Sequence, residues 1–177
     1  MYETHNDLSE SIRSRMIELL NARLADAIDL RLQLKVAHWN VKGPHFIALH
    51  KMFDEIVEDA DEYVDLIAER AVQLGGIADG TARQVAEHSS LDEYSAEGGG
   101  REHVRAVADV LAAFGRSARG AIDTASGARD QDTAHIFTEI SRGTDKWLWM
   151  VEAHAQGGEL AHRSASPERE TERQPRH

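Results

Sequence analysis

Apolar residues recur every three or four positions along most of the chain, and four long stretches carry that rhythm. In the first, Ile12, Met16, Leu20, Leu24, Ile28 and Leu32 step by four and predict a helix over residues 8–39. Asn40-Val41-Lys42-Gly43-Pro44 stops it, glycine permitting a turn and proline suiting the start of the next helix. The second, residues 44–74, places Phe46, Leu49, Phe53, Ile56, Ala60, Tyr63, Ile67, Ala71 and Leu74 on one face and closes at Gly75-Gly76. Residues 77–100 read as a polar connection with a short helix over 81–87, ending at Gly98-Gly99-Gly100. A third helix over 102–125 carries Val104, Val107, Leu111, Phe114, Ala118 and Ile122. A fourth over 130–155 carries Ile136, Ile140, Trp147, Leu148 and Val151. Met16, Met52 and Met150 fall with the core.

No segment alternates apolar and polar residues over five positions, so no sheet is expected. Four long helices with short, long and short connections describe an all-α four-helix bundle over residues 8–156, with a long crossover between its second and third helices. Residues 1–7 form a short acidic tail. From Gly157 onward the chain turns rich in Ser, Pro, Arg and Glu and reads as a disordered tail over 157–177.

Composition narrows the chemistry. The 177 residues contain no cysteine, which excludes disulfides, thiolate metal sites, iron–sulfur clusters and a thiol nucleophile. Asp and Glu number 31 against 20 Lys and Arg, and the resulting formal charge of −11 disfavours a nucleic-acid coat. With ten histidines beside that carboxylate excess, hard or borderline metal ions are the partners to expect. The acidic start resembles neither a secretory signal nor a transit peptide, and no apolar run approaches the roughly 20 residues of a membrane span. The expected compartment is cytoplasmic.

The second helix carries the candidate site. At 100° per residue its apolar set occupies one sector, while His50, Asp54, Asp65 and Glu69 fall within about 100° of one another on a different face. Glu58 and Asp61 share that sector, and Glu62 lies just beyond it. An acidic stripe is ordinarily a solvated face, but so many acids in one row repel unless a cation or a partner offsets them. His50 and Asp54 are one turn apart and could hold one ion together; Asp65 and Glu69 could do the same. The two pairs are separated by 11 residues, roughly 16 Å along the axis. Ligands lie about 2 Å from their metal, so one ion cannot touch both pairs of a straight helix. Two copies packed antiparallel about a two-fold axis would let each supply the half that the other lacks. A di-iron centre inside the bundle would need Glu-x-x-His on two helices, whereas the chain has only Glu159-Leu160-Ala161-His162, in the expected tail.

The run His38-Trp39-Asn40-Val41-Lys42-Gly43-Pro44, then Phe46, Leu49-His50, Phe53-Asp54, Asp65 and Glu69-Arg70-Ala71-Val72-Gln73-Leu74-Gly75-Gly76, closely resembles the Dps family of bacterial mini-ferritins. Asp145-Lys146-Trp147-Leu148-Trp149 is similar to that family's last helix, and the resemblance covers roughly residues 8–155. It implies a ferritin-like bundle, assembled as a dodecameric shell that oxidises Fe(II), preferably with hydrogen peroxide rather than oxygen, and stores the Fe(III) mineral. It further implies that His38, His50 and Asp54 come from one subunit and Asp65 and Glu69 from its two-fold mate. Asp65 and Glu69 would then hold the first iron, with His38 across the interface. His50 and Asp54 would place the second iron or its bridging water. Trp39 would be an electron donor or radical sink, unless it only packs at the interface.

Asp130, Asp132 and Asp145 are candidates for a three-fold iron pore, as acids near the last helix are in that family, although Asp130 and Asp132 also suit a helix N-terminus. His88, His103, His135 and His154 read as surface or packing residues. A competing function is a nucleoid protein that compacts DNA, with the iron site secondary. Against it, the first ten residues hold three acids and no Lys or Arg, and the tail after Ala161 is only marginally basic. DNA binding is expected to be weak or absent. A third possibility is a helical oligomer whose acidic stripe is merely solvated.

Overall fold

The structure, a computed structural model, describes residues 1–95 and 97–163, with side chains as far as Gln156. Five helices follow in order: α1 Glu10–Asn40, α2 Phe46–Gln73, α3 Ala82–His88, α4 Gly100–Gly127 and α5 Gln131–Arg163. No strand occurs among the described residues. The long helices α1, α2, α4 and α5 form the bundle, and α3 is the short helix expected within the crossover. The pairs α1–α2 and α4–α5 pack most extensively, each as an antiparallel hairpin closed by a short turn.

The turns follow local chemistry. Gly43 takes φ +113°, and the Phe46 N–H donates to its carbonyl at 3.0 Å, so α2 begins at Phe46 and Pro44 stays in the turn. At the other end of α2, Gly75 adopts φ +86° and the Gly76 N–H reaches back to the Ala71 carbonyl at 2.9 Å, a left-handed helix ending. Tyr2 lies against Gly75, its N–H on the Gly75 carbonyl at 2.7 Å, leaving no room there for a side chain. The last helix runs to Arg163, past the expected Ala155. Two glycines weaken a helix by only about 1 kcal/mol each relative to alanine, and the Glu-Leu-Ala that follows favours continuation. The part of the expected tail over 164–177 lies outside the described residues.

Phe53, Phe114, Phe137, Met16, Leu20, Leu34, Ile56 and Ile67 fill the core between the four helices. Leu32, expected there from its spacing, is instead 47% exposed, because α1 turns that flank away from both α2 and α4. The crossover buries Val85 and packs Ala78, Leu91 and Tyr94 on the core, and polar groups add to its hold. Buried Asp26 accepts from the Ser90 N–H at 2.7 Å and the Ser117 hydroxyl at 2.9 Å, Ser89 donates to Asp29, and Gln33 donates to the Asp92 carbonyl at 3.0 Å. Further along, the Tyr94 hydroxyl meets Nδ1 of buried His103 at 2.6 Å. These bonds fix the polar part of a segment that crosses the bundle.

Candidate metal centre

The antiparallel α1–α2 hairpin brings the last turn of α1 beside the first turn of α2, so His38 and His50 meet although twelve residues separate them. Their rings stack with centroids 3.7 Å apart and 23° between planes. Each imidazole Nδ1 lies 2.8 Å from the other residue's backbone carbonyl. A carbonyl only accepts, so each Nδ1 carries a proton, and Nε2 is the nitrogen of each ring that a metal could use. Phe46, one turn before His50, covers the ring with centroids 5.0 Å apart.

Asp54 follows His50 by one turn of α2, and its Oδ1 is 3.7 Å from the His38 Nδ1. The same oxygen is bonded by the Lys35 ammonium. That bond is the main cause holding the Asp54 carboxyl below the usual carboxylate range; burial opposes it, and the nearby His38 and His50 add to the lowering. The chain therefore brings His38, His50 and Asp54 side by side: two imidazoles and an ionised carboxylate, donor types suited to a borderline divalent ion.

Asp65 and Glu69 lie on the outer face of α2, both exposed, and make no ion pair among the described residues. They do not approach the first cluster. Among the described residues no three His, Asp or Glu side chains are placed to hold one ion. Between the two pairs, Asp61 is paired with Arg31 of α1 at 2.7 Å, while Glu58 and Glu62 face outward. Trp39, next to His38, is 66% exposed.

The pore candidates separate. Asp130 is a correction: it is buried, its Oδ1 accepts from the Thr133 N–H at 3.1 Å and from the Arg70 guanidinium at 2.7 Å, and its Oδ2 accepts from the Thr133 hydroxyl. It caps α5 and pairs with α2, so it lines no opening of this chain. Asp132 remains exposed, and Asp145 pairs with Arg119 at 2.9 Å on the surface. Among the remaining histidines, His103 is packed inside while His88, His135 and His154 lie on the surface.

Lys35 and Arg31 were not legible as parts of the site. The available signal was their position: Lys35 precedes His38 by three residues and Arg31 precedes Lys35 by four, so all three share the α1 face that lies over the acidic stripe.

The model of the family described as the ferritin-like domain matches residues 17–161. The DNA protection during starvation protein of Agrobacterium fabrum is 42% identical over 156 residues, covering 88% of this chain and 96% of that protein. The protein of that name from Brevibacillus brevis is 32% identical over 146 residues, covering 82% and 98%. Among solved structures, the tetragonal form of Mycobacterium smegmatis Dps superposes with a TM-score of 0.82 at 32% identity, covering 86% of this chain and 93% of that one. With this helix order, these coverages and the family motif on α1 and α2, the chain belongs to the ferritin-like family and, within it, to the Dps proteins.

Proposed function

We propose that this protein is a ferroxidase and iron-storage mini-ferritin acting in the cytoplasm, with Fe(II) as substrate and hydrogen peroxide as the preferred oxidant over oxygen. Its sites are shared between two-fold-related subunits of a dodecameric shell. The observation that carries the reading is the division of donors on α2. His50 and Asp54, joined by His38, form one open half-site, and Asp65 and Glu69 form another about 16 Å along the same helix. Neither half can satisfy an ion alone, and an isologous contact completes both at once.

In the chemistry that follows, two Fe(II) ions each give one electron to one peroxide molecule, which takes up two protons and leaves as two waters. Two-electron reduction avoids the hydroxyl radical that a single electron would release. Ionised Asp54, Asp65 and Glu69 favour Fe(III) over Fe(II) and so pull the oxidation forward, while the two imidazole Nε2 atoms admit Fe(II). Trp39 at the edge of the site is a candidate donor of a stray electron. Oxidised iron passes into the shell as mineral, and DNA is spared by the removal of iron and peroxide rather than by being coated.

The test is complementation between half-sites. One variant carries His38→Ala and Asp54→Ala, and the other Asp65→Ala and Glu69→Ala. Each alone should assemble and lose fast peroxide-driven oxidation, followed as the growth of amber Fe(III) absorbance. Co-assembled at random, about half of the two-fold pairs are mixed and each mixed pair has one intact site, so activity should return to roughly a quarter of wild type. A co-assembled shell, verified by mass, that stays as inactive as its parents refutes the shared site.

A further inference from the structure

The end of the bundle that carries the α1–α2 turn holds a cavity of about 810 Å³, enclosed by that turn, the first turn of α4 and the late part of α5. Local sequence shapes the space. Gly98 takes φ +126°, and Gly100 brings α4 so close to the turn that a Cβ there would lie 2.8 Å from the Lys42 carbonyl. Gly99 and Gly100 line the cavity without filling it, because neither carries a side chain. The volume falls within the range of about 300–1,000 Å³ usual for small-molecule sites. None of the proposed iron ligands lines it.

The cavity has two chemistries. Its floor is apolar: Leu49 and Val104 line it, each 3% exposed. Its rim is basic: Lys42, His45, Arg101 and His154 are all exposed, and none forms an ion pair among the described residues. The acid on that rim, Glu102, is already engaged, since its carboxylate accepts from the Gly99 N–H at 2.9 Å at the start of α4. Two fixed positive charges and two imidazoles thus gather at one opening of a chain whose formal charge is −11. Like charges placed together repel, and an anion between them removes that cost. An inorganic anion would use the rim and leave the floor wet, and a neutral apolar molecule would do the reverse. A ligand with an acidic head and an apolar body satisfies both.

We propose that this cavity is a binding site for a small amphipathic organic anion, a carboxylate, sulfonate or phosphate on an apolar body. The head lies at Lys42 and Arg101, and the body lies on Leu49 and Val104. The site is separate from the metal centre and stands or falls without it.

The experiment is a fluorescence titration of the assembled, metal-free protein with 8-anilinonaphthalene-1-sulfonate, a dye of this class that brightens as it leaves water. Wild type should bind one dye per subunit, saturably, with Kd roughly 10–100 µM, the range expected for a ligand of that size in an open pocket. The double variant Lys42→Ala with Arg101→Ala should weaken binding by roughly five- to tenfold, as expected on losing two partly exposed charge contacts. Ala155→Trp, which crowds the rim and changes no charge, should weaken it by at least that much. Arg116→Ala, an exposed cation of α4 outside the cavity, should bind as wild type does. N-phenyl-1-naphthylamine, the same body without the sulfonate, should bind at least fivefold more weakly. Absence of saturable binding in wild type overturns the proposal. Titrations of both cavity variants that overlay wild type overturn it too, because the dye then sits elsewhere. Equal affinity for the dye and its uncharged analogue overturns the assignment of an anion.

Discussion

Asp130→Ala should be among the most damaging single changes outside the apolar core. Asp130 is 2% exposed and its partner Arg70 only 5% exposed. Truncation removes the 2.7 Å ion pair and the N-terminal cap of α5 together. Arg70 would keep only the Thr133 hydroxyl at 3.0 Å, the Gln73 side-chain oxygen at 3.4 Å and the distant Asp132 at 3.9 Å. Leaving one partner of a buried pair uncompensated costs about 3–5 kcal/mol, and the cap contributes about 1 kcal/mol that overlaps with it. At about 2–4 °C per kcal/mol for a chain of this size, Tm should fall by roughly 6–20 °C. Asp130→Asn keeps the cap and should fall between alanine and wild type. Asp132→Asn, at an 82% exposed side chain, should stay within about 0.5 kcal/mol. The assay is thermal unfolding followed by far-ultraviolet circular dichroism at fixed subunit concentration. A Tm for Asp130→Ala within about 2 °C of wild type, combined with slower iron uptake, would refute the structural role and return Asp130 to the pore.

Three further outcomes are expected. Burial pushes the His103 imidazole below its ordinary value of 6.5, so below that pH the unfolded chain binds a proton that the folded chain resists. Stability should hold above pH 6.5 and decline on acidification, by at most about 1.4 kcal/mol per pH unit, until the folded group also titrates; urea unfolding of His103→Gln should show a shallower acid limb, and an unchanged limb rejects the assignment. Gly143 on α5 faces the Tyr63 hydroxyl so closely that an added methyl group must move the ring, so Gly143→Ala should lose about 1–3 kcal/mol in urea unfolding, largely restored by adding Tyr63→Phe. For DNA, a charge of −11 per subunit should leave binding weak or absent at near-physiological salt; any binding seen in gel shifts should vanish when the residues after Gly158 are deleted, and a tight shift that survives deletion contradicts this.

How far the sequence could be read depended on the range of the interaction concerned. Helical period needs only neighbours three and four residues away, so Phe53, Ile56, Ala60 and Ile67 announced the buried face of α2, and Gly43 and Gly75 announced its limits. The acidic stripe was equally local, and a 100° rotation with a 1.5 Å rise suffices to show that His50 and Asp54 cannot share an ion with Asp65 and Glu69 on one helix. What stayed hidden needed a partner distant in sequence. Asp130 looks like any acid at a helix start until Arg70, 60 residues earlier, is known to lie beside it. Asp26 is a carboxylate in the interior of α1; its pair with Arg23, three residues earlier, is local, but its bonds to Ser90 and Ser117 come from the crossover and from α4. Leu32 keeps its place in the apolar period yet stays exposed, because a period marks a face without saying which helix covers it. Lys35 belongs to the same class: its spacing from His38 is local, but its bond to Asp54 spans 19 residues through the α1–α2 turn. The carboxylates of the site could thus be named from α2 alone. Which of them carries a counter-cation before any metal arrives is decided by the register of α1 against α2, and no periodicity within one helix encodes that register.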